Sequence, residues 1–169
     1  MAVVEGLGRV IRNLDKELRR IENVTMKGLI RGSIIIRRSM DDNAPSIPVD
    51  LGNLRASWFT VTSEGQAAGL GSRAGIARFR GPNKADMVSD HHGEVGKYAT
   101  EIKGRRDPLL IMGFTAYYAT YVHEMVGANF KQPKTGAMKA ATGAKFFEAA
   151  LKREEKAVFN VIKSEARIK

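Results

Sequence analysis

The first forty residues limit the fold more than anything that follows. Leu7, Leu14 and Ile21 recur every seven residues, with Ile11 and Leu18 between them. That spacing lays one apolar stripe along a helix, and Arg12, Asp15, Lys16, Arg19 and Glu22 occupy its other faces. Gly28 and Gly32 each weaken a helix by about 1 kcal/mol relative to alanine. Ile30, Ile34 and Met40 nevertheless carry the pattern onward. The stop is Asp41-Asp42-Asn43-Ala44-Pro45, where poor helix formers precede a proline that disfavours helix at its neighbour. A helix is therefore expected over residues 8–42. Unbroken from Gly8 to Met40 it is roughly 50 Å long at about 1.5 Å per residue. Such a helix overhangs a domain of 18.6 kDa and must pack on a neighbour or bend at the glycines. Gly28 and Gly32 also have the spacing of a close helix-packing motif, although that motif belongs to apolar membrane spans.

The 169 residues suit one domain, and 43% hydrophobic with 27% charged residues is a globular composition. No cysteine is present, which excludes disulfides and thiolate metal sites. Glu5 interrupts the start, and no signal-peptide pattern follows. The longest charge-free apolar stretch, Pro108 to Val122, is shorter than the roughly 17–25 residues a bilayer needs, so a soluble protein is expected. The net charge of +10 is spread along the chain. It favours phosphate or an acidic protein as partner, and serves equally as a solvated surface.

Further along, Asp50 is a candidate N-cap for a short helical turn through Ser57. Trp58 to Thr62 is a strand by its aromatic and β-branched content, and Ala67 to Leu70 is a possible returning strand. Residues 71–107 are rich in Gly, Arg, Lys, Asp and His and show neither period, so a long basic loop or small insertion is expected. Leu109 to Phe114 reads as a strand buried on both faces. Tyr118, Tyr121, Val122 and Met125 have helical spacing, and Gly127 to Gly143 is a second loop. A last helix runs over residues 144–167, with Phe147, Leu151, Val158 and Ile162 on one face and Phe146, Ala150, Ala157 and Val161 beside it. Glu154 and Glu155 interrupt both rows, so that turn is expected to be exposed or paired outside the chain. The expected fold is α+β. It is a single domain of residues 1–169, with core segments 46–70 and 108–126 forming a small antiparallel sheet, covered on one side by the long N-terminal and C-terminal helices.

Motifs for chemistry are sparse. His91-His92-Gly93-Glu94 and His123-Glu124 offer metal-ligand types, but adjacent histidines do not readily aim at one ion, and no HExxH pattern occurs. No Gly-x-Ser-x-Gly elbow, dinucleotide glycine pattern or Walker A loop is present. No catalytic residue, cofactor or metal is therefore assigned. Arg73, Arg78, Arg80 and Lys84 around Phe79 could grip a nucleic-acid backbone or a protein partner.

Three segments together resemble the tail-completion and head–tail joining proteins of tailed bacteriophages. They are Pro48 to Trp58, carrying Asp50, Asn53, Leu54, Arg55 and Trp58; Tyr118 to Glu124, carrying Tyr118, Tyr121, His123 and Glu124; and Gly143 to Leu151, carrying Phe146 and Phe147. Their order and spacing are similar to that family's, with Leu51 where threonine is usual and Met125 to Asn129 replacing a glycine-rich close. The resemblance implies a structural virion protein without catalysis. It implies a homo-oligomeric ring at the phage neck, assembled in the host cytoplasm and contacting portal-side and tail proteins, with DNA possible in its channel and no membrane contact. A basic nucleic-acid-binding protein is the alternative.

Overall fold

In a computed structural model of the chain, residues 7–65, 79–105, 107–128, 130 and 141–166 are described. Among these residues seven elements follow in order: α1 (Leu7–Asp42), α2 (Asn53–Ala56), β1 (Trp58–Thr62), α3 (Lys84–Ile102), β2 (Leu110–Phe114), α4 (Ala119–Glu124) and α5 (Phe146–Glu165). The fold is α+β, with a two-stranded antiparallel sheet and long first and last helices packed on one another.

Helix α1 runs for 36 residues straight through Gly28 and Gly32, about 54 Å. The glycines are where α5 crosses it. A methyl group added at Gly28 would stand 2.8 Å from the Ile162 Cα, and one at Gly32 would stand 2.9 Å from Val158 Cγ1. Position 28 thus meets 162 and position 32 meets 158, so α5 runs antiparallel to α1. The pair is also held by polar contacts. Ser39 donates to Glu154 Oε1 at 2.8 Å, Arg153 Nε donates to Ser39 Oγ at 3.0 Å, and Arg31 pairs with Glu165. Glu154, expected to be exposed or paired outside the chain, is held by α1 instead. Glu155, next to it, is exposed.

Strands β1 and β2 pair from Trp58 opposite Phe114 to Thr62 opposite Leu110. All five β1 residues are buried, whereas those of β2 are half-buried, short of the double burial its apolar run predicted. Alternation along β1 feeds two cores. Trp58 joins Ile36, Met40, Ile47, Leu54, Phe146 and Ala150 on the side of α1 and α5. Phe59 and Val61 point the other way, onto Ile102, Val95, Tyr98 and Ala99 of α3. The sheet is therefore covered on both faces.

Helix α3 corrects the expected loop over 71–107. Nineteen of those residues form a helix. Its inward row is Val88, His91, Val95, Tyr98 and Ile102, spaced three or four apart, and the Tyr98 ring stacks on Phe59 at 5.3 Å between centroids. The row is hard to see because a histidine fills one inward position and Gly93 and Gly96 dilute the pattern. Residues 66–78, including the possible strand Ala67–Leu70, lie outside the described residues.

The short helix α2 is not capped by Asp50, which is exposed. Its N-cap is Gly52, at φ +87°, with its carbonyl accepting from the Ala56 N–H at 3.0 Å. That left-handed conformation is open to glycine at little cost. Helix α5 starts at Phe146 rather than 144, behind Lys145 at φ +57°.

The crossing yields a prediction. In Gly28→Ala the new methyl meets backbone, which cannot turn aside, so the gain in helix propensity of about 1 kcal/mol is outweighed by overpacking of about 1–3 kcal/mol. In Gly32→Ala the obstacle is a valine methyl. Denaturant unfolding should show Gly28→Ala less stable than the parent and Gly32→Ala closer to it.

Candidate functional site

The three segments that carry the family resemblance come together around Trp58. Leu54 of α2 and Phe146 of α5 lie in its core, and the ring makes edge contacts with Phe114 at 5.1 Å and Phe147 at 5.8 Å. His123 of α4 lies edge-on to Phe146 at 5.0 Å. Arg37 of α1 stands 5.8 Å above the Trp58 ring, within the range of a cation–π contact. Its guanidinium also pairs with Asp41 at 2.7 Å, and the other Asp41 oxygen pairs with Arg55 at 2.8 Å. Arg55 therefore ties α2 to the last turn of α1.

Asn53 has a different task. Its buried side chain donates to the Arg80 carbonyl and accepts from the Arg80 N–H, both at 2.8 Å. This two-point bond imitates a strand neighbour and holds the chain where it approaches α3. The Arg80 side chain is exposed beside it, as is Lys84 at the start of α3. Arg73 and Arg78 lie outside the described residues, so among the four basic candidates Arg80 and Lys84 alone are placed.

In the second segment, Ala119 is buried and Tyr118 and Val122 pack on the core, while Tyr121 is 68% exposed. Tyr121 thus leaves the apolar face that its spacing with Tyr118 and Val122 predicted. Burial pushes the Tyr118 hydroxyl above the ordinary tyrosine range, with smaller contributions from Tyr117 and Asp50. His123, with its proton on Nδ1, donates to Glu124 Oε1 at 2.8 Å and accepts weakly from the Glu148 N–H at 3.5 Å. Lys145 pairs with Glu124 and, at 3.7 Å, with Glu148. The bond from Lys145, and then that from His123, holds the Glu124 carboxyl below its ordinary range. These contacts knit α4 to the start of α5. They resemble a brace more than a reactive centre, because the carboxylates are exposed and already paired.

His91 is buried against Phe79, with Nδ1 2.7 Å from the Thr115 hydroxyl, which itself donates to the Ser57 carbonyl at 3.3 Å. It pins α3 to the end of the sheet. His92, its neighbour, is exposed. Among the described residues no group of three or more His, Asp or Glu side chains is placed to hold a metal ion. No described helix is long and apolar enough to cross a membrane.

What the described surface offers instead is apolar. On α1, Ile11, Leu14 and Leu18 are 50%, 59% and 49% exposed, along the stripe legible in the sequence. Since Ile162 already sits at Gly28, α5 ends close to Thr25, and residues 7–24 project past it for about 27 Å. On α5, Leu151 and Phe159 are exposed and line a shallow groove of about 330 Å³ with Ile36 and Val158, edged by Lys152 and Glu155. Tyr117, Tyr121 and Val126 are exposed near α4. The overhang was expected from the length of the helix, whereas its extent depends on where α5 stops along α1 and the groove on how the two helices cross.

No family model, curated protein or solved structure matches the chain.

Asn53→Ala leaves both Arg80 backbone groups without their partner and should cost about 1–3 kcal/mol. Hydrogen exchange should speed up first at Arg80, and Asn53→Asp should not restore protection, because a carboxylate repels the Arg80 carbonyl. The lowered Glu124 pKa means its contribution is present above the ordinary glutamate range and lost as pH falls through the lowered folded value. Glu124→Gln should therefore flatten that part of the stability–pH curve.

Proposed function

We propose that this chain is a structural protein of a tailed-phage neck, a ring subunit joining the head or portal side to the tail, without catalysis. The observation that carries the reading is the meeting of the three resembling segments around Trp58. Residues far apart in sequence serve one core there, so the resemblance reads as a shared architecture rather than scattered short matches. A long helix that leaves a row of leucines and isoleucine uncovered suits a subunit completed by its neighbours, since exposed apolar area is costly unless a partner removes it from water. The positive charge would then face either DNA in the channel or acidic neighbours.

A basic nucleic-acid-binding protein is the second reading, supported by exposed Arg80 and Lys84. The two separate experimentally. Electron microscopy of intact particles, with this chain labelled, should place it as a ring between portal and tail. A position elsewhere, or its absence from particles, would overturn the neck reading. DNA affinity of the isolated protein that falls by about 0.9 log units per log unit of salt for each phosphate contact would favour the second.

A further inference from the structure

The open stripe of α1 and the seam that α5 covers lie on one line. At about 100° per residue, Ile11, Leu14, Leu18 and Ile21 stay within about 40° of a common line along the helix, and Gly28 and Gly32 fall within about 60° of it. Helix α5 covers the later part of that line, through Ile162 and Val158, and then ends. The earlier part continues the same helix-packing surface and is left open, with Ile11, Leu14 and Leu18 about half exposed. In heptad terms Ile11 and Leu18 take the a positions and Leu14 and Ile21 the d positions, which is the seam of a two-helix pair. The surface on offer is therefore a seat for a helix, in line with the one α5 occupies.

The charges on this half of α1 are sorted around the stripe. By the same turn angle Asp15 and Glu22 lie about 60–80° from its centre on one side and Glu17 about 80° on the other, whereas Arg12, Lys16, Arg19 and Arg20 lie about 120–180° away. The acids thus hold the e and g positions that flank a coiled-coil seam, and the bases hold the back of the helix. Arg20 reaches round to Glu17. Among the described residues Asp15 and Glu22 have no ion-pair partner within the chain.

Acidic edges on both sides work against a second α1 as occupant. In a parallel pair the Glu17 edge of one copy meets the Glu22 edge of the other. In an antiparallel pair the edge of Asp15 and Glu22 meets its own counterpart. The α5 groove of a second copy offers no net attraction, since Glu155 lines it together with Lys152. An anionic lipid surface or a nucleic acid would meet the same acids.

We propose that the first half of α1 is the docking site for an amphipathic helix of another protein, one whose apolar stripe is bordered by lysines or arginines. The two helices form a short coiled coil that prolongs the α1–α5 crossing, with the partner's basic edges set against Asp15, Glu17 and Glu22. Cover by a neighbouring protein is common to this inference and to the neck reading and rests on the latter; the basic edges of that neighbour are read from α1 alone.

A basic ligand is repelled by the net charge of +10 and gains only from the local acids, so overall charge alone would favour an acidic one. Two labelled peptides of about three heptads serve as probes, both with leucine or isoleucine at a and d, one with lysine and the other with glutamate at e and g. Like charges keep each peptide from pairing with itself. In fluorescence anisotropy with the full chain, the lysine-edged peptide should bind at least about tenfold more tightly than the glutamate-edged one. Leu14→Asp with Leu18→Asp, both at exposed positions, should abolish that binding. Asp15→Lys, Glu17→Lys and Glu22→Lys together should reverse the preference. Circular dichroism establishes that each variant is folded. No binding of the lysine-edged peptide, equal or tighter binding of the glutamate-edged one, or binding indifferent to these substitutions overturns the proposal. Self-association of the parent chain that Leu14→Asp with Leu18→Asp dissolves, measured by sedimentation, also overturns it and assigns the stripe to a second copy. The neck reading is tested on particles and can fail while the peptide binding holds.

Discussion

Gly28 and Gly32 let α5 lie against α1 with Ile162 and Val158 in the space that two side chains would otherwise fill. Much else depends on that approach. It brings Ser39 within reach of Arg153 and Glu154, and it sets Phe146, Ala150 and Ile36 in one core. It also determines where α5 ends along α1, and hence how much of α1 is left uncovered. Each glycine costs the helix about 1 kcal/mol of propensity. Van der Waals contact along the crossing offsets this, because closer backbones allow more atom pairs at their optimal distance.

Strand β1 couples this helix pair to the rest of the domain. Trp58 reaches one core and Phe59 and Val61 the other, since successive side chains leave opposite faces of a strand. Polar ties also stand around Trp58: Arg37 and Arg55 share Asp41, and Asn53 holds the Arg80 backbone. Arg55 binds the short helix α2 to α1, and Asn53 binds α2 to the segment that leads into α3. Such ties fix the segments that enter and leave the core, which aromatic and aliphatic side chains fill together.

Much of this fold was legible from spacing. The apolar stripe of α1, its end before Pro45, the strand at Trp58 and the last helix all follow from local patterns that tertiary contacts did not override. Other elements were not legible, for identifiable reasons. Helix α3 hides its inward row behind His91, whose polar ring is accommodated by Thr115. The cap of α2 falls on Gly52 because the chain turns through a left-handed conformation there, which Asp50 two residues earlier does not reveal. Tyr121 faces out because Ala119 and Val122 take the inward positions of a helix only six residues long. Of the candidate site residues, those in the resembling segments were brought together, while Arg80 and Lys84 remain two exposed charges near one another in sequence.

A long amphipathic first helix, a short pair of strands, a long last helix and a strongly basic, cysteine-free chain can all be read from the order of residues. These are consequences of periodicity and composition, which act over a few neighbouring residues. That the glycines of α1 mark a helix crossing, that the sheet is covered on both faces, and that Ile11, Leu14 and Leu18 stand clear of α5 emerges from the packing. Those outcomes depend on which distant elements meet and where each one stops. An apolar stripe looks the same in sequence whether a neighbouring helix covers it or leaves it open to water.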